Sequence, residues 1–174
     1  MAKDKALNQE ESAIKKLAEL IKDIRFAMFT TVDAQGVLRS RPMATQQIAF
    51  NGDLWFFTRV DTGKVDDVRQ YQQVNVGYAA PDDQRYVSVM GPAEVIDDRA
   101  KMAELWNPAY KVFFPEGLGD TRLRLIRVEV REAEYWDSPG KVATAISFVK
   151  ALVTGDPSNM GENEKITLED SQQA

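Results

Sequence analysis

Residues 26–58, FAMFTTVDAQGVLRSRPMATQQIAFNGDLWFFT, decide the reading of the fold. Phe26 to Val32 is rich in aromatic and β-branched residues, which suit a pleated strand. Asp33-Ala34-Gln35-Gly36 interrupts it, and Val37 to Ile48 resumes in extended style, so the two runs predict a hairpin around a glycine-containing loop. Asn51-Gly52-Asp53 is a second turn signal, and Leu54-Trp55-Phe56-Phe57-Thr58 follows as a short apolar strand. Three strands joined by short turns predict an antiparallel meander in preference to βαβ units.

Working outward, the period changes on both sides. Upstream, Ile14, Leu17, Ile21 and Ile24 recur at three- and four-residue spacing, which predicts a helix over Asn8 to Ile24. Asn8 with Glu11 has the spacing of a capping box. Downstream, Asp61-Thr62-Gly63-Lys64 opens a helical segment to about Tyr71, with Val65 and Val68 facing inward and Tyr71 a further inward candidate. Gln73 to Ala80 and Arg85 to Ile96 read as strands around Pro81-Asp82-Asp83. Gly91-Pro92 inside the second predicts a bulge, a bend or an edge position.

Asp97-Asp98 begins a short helix through Trp106, and Asn107 to Asp120 reads as irregular. Leu123 to Trp136 reads as one long strand whose alternation slips at Ile126-Arg127. Val142, Ile146, Val149 and Val153 have the spacing of a last helix. Residues 156–174 form a polar tail, expected to lie loose or disordered beyond a domain over 1–155. The expected class is α+β, mainly β: a small antiparallel barrel with peripheral helices.

Composition narrows the chemistry. The 174 residues fit one domain and include neither cysteine nor histidine. Disulfides, thiolate metal sites, the commonest metal ligand and histidine acid–base chemistry are thereby excluded. A net charge of -5 without a basic cluster makes nucleic acid or an anionic membrane a poor partner. The N-terminus lacks the apolar core of a signal peptide, and no apolar run approaches the ~20 residues of a membrane span. A soluble cytoplasmic protein is expected.

Three segments could carry chemistry. In Arg39-Ser40-Arg41-Pro42-Met43, a proline interrupts the hydrogen-bond ladder and leaves backbone groups free for a ligand, although an edge strand with exposed arginines reads the same way. After Trp55-Phe56-Phe57-Thr58, Thr62-Gly63-Lys64 combines a hydroxyl, a glycine and a cation at a helix start, a phosphate seat or simply a solvated helix cap. Trp106, Tyr110, Phe113, Phe114, Tyr135 and Trp136 are core aromatics or a ring platform; Phe113-Phe114-Pro115 lies in a loop, where core packing explains less.

Taken in order, these motifs, with "YVSVMGPAEVIDD", "ELW", "FFPEG" and "EYWD", resemble the pyridoxamine 5'-phosphate oxidase-like FMN-binding split barrels. The similarity is greatest to their bacterial general stress protein branch and runs from about Ile14 to Trp136. It implies a homodimer of six-stranded antiparallel split barrels with FMN in a cleft between subunits; FAD stays open as the cofactor. It assigns Arg41, Pro42, Met43 and Ala44 to the strand lining the flavin, Phe57 and Thr58 to its flank, and Thr62, Gly63 and Lys64 to the phosphate turn. Trp106, Phe114 and Trp136 become candidates for the second subunit's wall of the cleft.

The chain also departs from that pattern. The oxidases that name the superfamily end in an arginine- and histidine-bearing segment that contacts substrate; nothing from Gly155 onward matches it. Tyr86 stands where they carry a glutamine on the flavin side of a strand. What the resemblance implies is therefore a flavin site without an identified substrate site. The readings are a flavin-dependent oxidoreductase fed by a nicotinamide or other small-molecule donor, a non-catalytic flavin-binding stress or sensor protein, and a haem- or deazaflavin-binding relative. Lack of histidine counts against the usual haem ligation.

Overall fold

The computed structural model describes residues 2–46, 50–137 and 162–168, with backbone only over 2–10 and at 162. Helix α1 (Ala2–Ile21) leads into strands β1 (Phe26–Val32), β2 (Leu38–Ala44) and β3 (Asp53–Arg59). Helix α2 (Gly63–Gln70) follows, then β4 (Gln73–Ala80) and β5 (Arg85–Ile96). After α3 (Arg99–Leu105) and two 3₁₀ turns come β6 (Leu123–Glu129), β7 (Glu132–Asp137) and β8 (Glu162–Thr167).

The pairing is antiparallel throughout, but the first three strands are not a meander. β1 and β2 form the expected hairpin, with Phe29 opposite Arg41, and Gly36 takes the left-handed turn conformation at φ 77°. β3 leaves them and pairs with β6, Trp55 opposite Arg127. The six strands run β2-β1-β4-β5-β6-β3, a path left open between β2 and β3, while β7 pairs β5 and β8. This is the expected split half-barrel, extended by two strands. The cause of the mispairing is physical: Phe56 and Phe57 point to opposite faces of β3, and each face needs its own cover.

Phe56 faces inward and meets Phe29 edge-on at 5.6 Å, in a core with Val76, Val89, Ile126 and Val128. Leu17, Leu20, Ile21 and Ile24 close it from α1 and the chain beyond. Phe57 faces the other way, into a second cluster with Met102, Leu105, Leu123 and Leu125. The slip at Ile126 is explained by these two faces: Leu123 and Leu125 belong to the second cluster, Ile126 and Val128 to the first.

The bend expected at Gly91-Pro92 falls where β5 changes partners, pairing β7 through Met90 and β6 from Ala93. A Cβ on Gly91 would lie 1.8 Å from the Glu129 carbonyl oxygen, so only glycine permits this approach.

Several boundaries differ from expectation. α1 begins before Asn8, so Asn8 is not its cap, and it stops at Ile21. Tyr71 follows α2 and is exposed. Asp98 caps α3 by accepting from the Lys101 amide at 3.0 Å. Leu123 to Trp136 is two strands broken at Val130-Arg131. The described part of the polar tail is not loose: β8 pairs with β7 along its length and Ile166 and Leu168 are buried. The helix expected over Val142 to Val153 lies outside the described residues. No helix among them is long and apolar enough to cross a membrane.

Candidate functional site

A cleft of about 190 Å³ opens where the end of β2, the end of β3, the start of α2 and the 3₁₀ turn over Pro108–Val112 converge. Phe26, Pro42, Met43, Ala44, Phe57, Phe113 and Phe114 give it apolar walls. Its polar lining is Thr58, Lys64, Gln46 and Tyr110.

Phe57 is the hub of the aromatic wall. It meets Trp106 edge-on at 5.4 Å and lies tilted against Tyr110 at 5.6 Å and Phe114 at 6.2 Å. Phe113 meets Phe26 edge-on at 6.3 Å. Offset and edge geometries are what ring quadrupoles favour, so the loop after α3 is pinned to β3 and β1 by its rings.

The cationic end is built from β2, β3 and α2. The Lys64 ammonium donates to Thr62 Oγ1 at 3.2 Å. Thr62 donates to the Arg59 carbonyl at 2.8 Å and lies 3.2 Å from the hydroxyl of buried Thr58. Burial, and then the positive charges of Arg41 and Arg59, hold the Lys64 ammonium below its usual range, while Asp61 opposes the shift. Arg41 and Arg59 each have a carboxylate partner, Asp67 and Asp61, both at 3.5 Å, which leaves Lys64 as the cation of this group without an ion pair among the described residues.

Arg41 is positioned rather than free. Its guanidinium donates to Thr31 Oγ1 at 2.8 Å and stands 3.5 Å from Asp67 Oδ2 on α2. The fully buried Thr31 hydroxyl donates on to Asp67 at 2.7 Å. This chain of bonds ties α2 to the β1–β2 hairpin and sets the position of Lys64 one turn away.

Of the residues singled out in the sequence, Pro42, Met43, Ala44, Phe57, Thr58, Lys64 and Phe114 line the cleft together. Thr62 stands behind it as the partner of Thr58 and Lys64, whereas Arg41, bonded to Thr31 and Asp67, lies outside the lining. Gly63 opens α2 with nothing within 4 Å of its Cβ position, outside the lining. Trp106 supports Phe57 from behind. Trp136, on β7 opposite Tyr86, is exposed and is not brought to this cleft.

The resemblance assigned no role to Phe26, Gln46, Tyr110 or Phe113, which also line the cleft, nor to Arg59, which acts on Lys64 from beside it. Tyr110 and Phe113 were legible as loop aromatics; Gln46 and Arg59 carry no motif and were not. Gln46 Oε1 accepts from the Tyr110 hydroxyl at 3.2 Å, while its Nε2 is buried without a partner.

A larger cavity, about 300 Å³, lies against α1, between Glu19, Lys22, Asp53, Trp55 and Tyr78, and Gln46 is a wall of both. It is poorly equipped for an anion, because the one cation among its described lining residues, Lys22, already pairs with Glu19 at 2.6 Å.

A family model described as pyridoxamine 5'-phosphate oxidase like matches residues 12–159. Protein bli-3 of Neurospora crassa is 28% identical over 173 residues, covering 93% of this chain and 83% of that protein. Among solved structures, a general stress protein 26 candidate from Jannaschia sp. CCS1 is similar with a TM-score of 0.74 and 23% identity, over 90% of this chain and 99% of that one. A general stress FMN/FAD binding protein from Xanthomonas citri is similar with a TM-score of 0.64 and 24% identity, over 75% and 92%.

Proposed function

The chain belongs to the pyridoxamine 5'-phosphate oxidase-like family, and from that premise we propose that it binds a flavin, FMN, in the cleft around Phe57 and Lys64. The observation that carries this is one of composition within a single cavity. One cavity is lined both by the apolar side chains of Pro42, Met43, Phe57 and Phe114 and by the polar Lys64 and Thr58. A planar ring needs the first and a phosphate the second. Arg41 and Arg59 add charge beside Lys64. The FMN/FAD binding protein of X. citri shares the fold.

The second part of the proposal is a homodimer that completes the cleft. At about 190 Å³ the cavity is smaller than the ~300 Å³ where ligand pockets begin. Phe26, Met28, Pro42, Tyr86 and Trp136 are all exposed. Phe26 and Pro42 line the cleft as well, so an apolar surface runs from the cleft onto the sheet. A second copy seated there would bury it and supply the missing wall, and Trp136 remains our candidate for that wall.

Bound flavin would itself supply electron and hydride transfer, so the chain's task is binding, orientation and exclusion of water. We place the protein among flavin-dependent oxidoreductases of unassigned substrate in a stress setting, as the names of its structural neighbours suggest. A second reading, a flavin-binding protein without turnover, is favoured by one observation: among the described residues the lining holds two titratable side chains, Lys64 and Tyr110. Mixing the FMN-loaded protein with reduced nicotinamide under air separates them. Bleaching and recovery of the flavin band supports the oxidoreductase, and an inert band supports the second reading.

A further inference from the structure

We infer that Gln46 reads the ring of the bound flavin, its side-chain amide donating a hydrogen bond to a carbonyl oxygen on the pyrimidine edge. This rests on the flavin reading above and extends it from the phosphate to the ring.

Gln46 follows β2 by two residues and lines the cleft. The Tyr110 hydroxyl, 3.2 Å from its Oε1, occupies the acceptor half of the amide. That hydroxyl also lies 3.4 Å from the Thr45 carbonyl, a longer alternative acceptor for its single hydrogen. With Oε1 engaged, the amide presents Nε2 as its open group. Nε2 is buried and has no partner. Buried polar atoms are nearly always paired, because an unmade bond forfeits what water gave it. An orphaned donor on a cleft wall is accounted for when its acceptor arrives with the ligand.

The rest of the lining identifies the acceptor. Polar groups occur there as two sets, Thr58 with Lys64 and Gln46 with Tyr110, and the other lining residues are apolar. A ligand that satisfies both sets carries an anion and, as a separate group, a hydrogen-bond acceptor. In FMN the phosphate meets the first set. The ring offers carbonyl oxygens only on its pyrimidine edge, because its dimethylbenzene edge is hydrocarbon. The pyrimidine edge therefore faces Gln46, and the hydrocarbon edge is left to the phenylalanine walls.

Titrating the full chain with riboflavin and with FMN, followed by flavin fluorescence, tests this. Gln46→Leu is expected to weaken both ligands by about tenfold, the factor for one lost hydrogen bond, and to leave their affinity ratio unchanged. Lys64→Ala weakens FMN alone and collapses the ratio. Gln46→Glu, nearly isosteric but without a donor, is expected to bind both flavins more weakly than Gln46→Leu. The visible band of the bound flavin should also change shape in both Gln46 variants. Wild-type affinity and band shape in Gln46→Glu, with a cooperative thermal melt, overturn the inference even if Gln46→Leu fails to fold. Wild-type protein that binds neither riboflavin nor FMN overturns the flavin reading itself, and this inference with it.

Discussion

Lys64 and Thr62, two residues apart at the start of α2, are joined by a hydrogen bond in which the ammonium donates to the hydroxyl at 3.2 Å. Thr62 spends its own hydrogen on the Arg59 carbonyl, so it serves Lys64 only as an acceptor. Among the described residues no carboxylate forms an ion pair with Lys64. A half-buried cation held this way beside Arg41 and Arg59 is poised for an anionic ligand.

Replacing Lys64 tests that directly. Lys64→Ala should weaken FMN by roughly 10- to 150-fold, the equivalent of about 1.5–3 kcal/mol for a hydrogen bond to a charged group. Riboflavin, which has no phosphate, should bind unchanged. Calorimetric titration measures both. Equal losses for the two ligands would place the phosphate elsewhere.

The same lysine predicts a pH dependence. Its ammonium is held below 10.5 in the free protein, mainly by burial, so the folded chain gives up this proton more readily than the unfolded one. Its stability penalty is full below the folded pKa and is relieved as pH rises from there to 10.5. Binding a phosphate favours the charged form and reverses the shift. FMN affinity should therefore be greatest below the depressed pKa and fall as pH rises toward 10.5. Lys64→Arg, charged throughout, should flatten the profile. A wild-type profile as flat as that of Lys64→Arg would remove Lys64 from the ligand.

The junction of α2 with the hairpin rests on Asp67. Asp67→Ala removes the 2.7 Å bond from buried Thr31 and the carboxylate beside Arg41. We expect a loss of about 1–3 kcal/mol in urea unfolding and weaker FMN binding through displacement of α2. An unchanged midpoint would show that the Thr31–Asp67 bond holds nothing together.

Two glycines should behave oppositely. Gly91→Ala drives a Cβ into the Glu129 carbonyl, and we expect aggregated or unfolded protein on expression. Gly63 has open space around its Cβ position, and alanine is the better helix former by roughly 1 kcal/mol. Gly63→Ala should melt no lower than wild type while binding FMN more weakly, because the added methyl stands at the proposed phosphate turn. Unaltered FMN affinity in Gly63→Ala would take Gly63 out of the site.

A charge on the exposed sheet face tests the dimer. Met28→Lys should convert a dimer to monomer in sedimentation equilibrium and lower FMN affinity with it, because the cleft loses its second wall. A wild-type chain that sediments as a monomer at high micromolar concentration contradicts this part of the proposal.

Local pattern carried most of the secondary structure. The bounds expected for β4 and β5, Gln73–Ala80 and Arg85–Ile96, are those observed, because turn residues flank both. Pairing was less legible. Nothing local tells β3 that it will lie beside β6, nearly seventy residues later. β8 escaped notice because it is an edge strand whose outward positions are polar, leaving Ile166 and Leu168 as the only apolar signal. In the site, Phe57, Thr58 and Lys64 stood in motifs. Gln46 and Arg59 act through neighbours that only the fold supplies.

The most direct test of the whole account is a thermal melt of the flavin-stripped protein with and without excess FMN. A ligand confined to the folded state raises stability by mass action, about 2.7 kcal/mol at a hundredfold excess over Kd. We predict a melting temperature that climbs with FMN concentration and an absorbance titration that saturates at one FMN per chain. A melting temperature indifferent to FMN, with no saturable binding, would contradict the central claim.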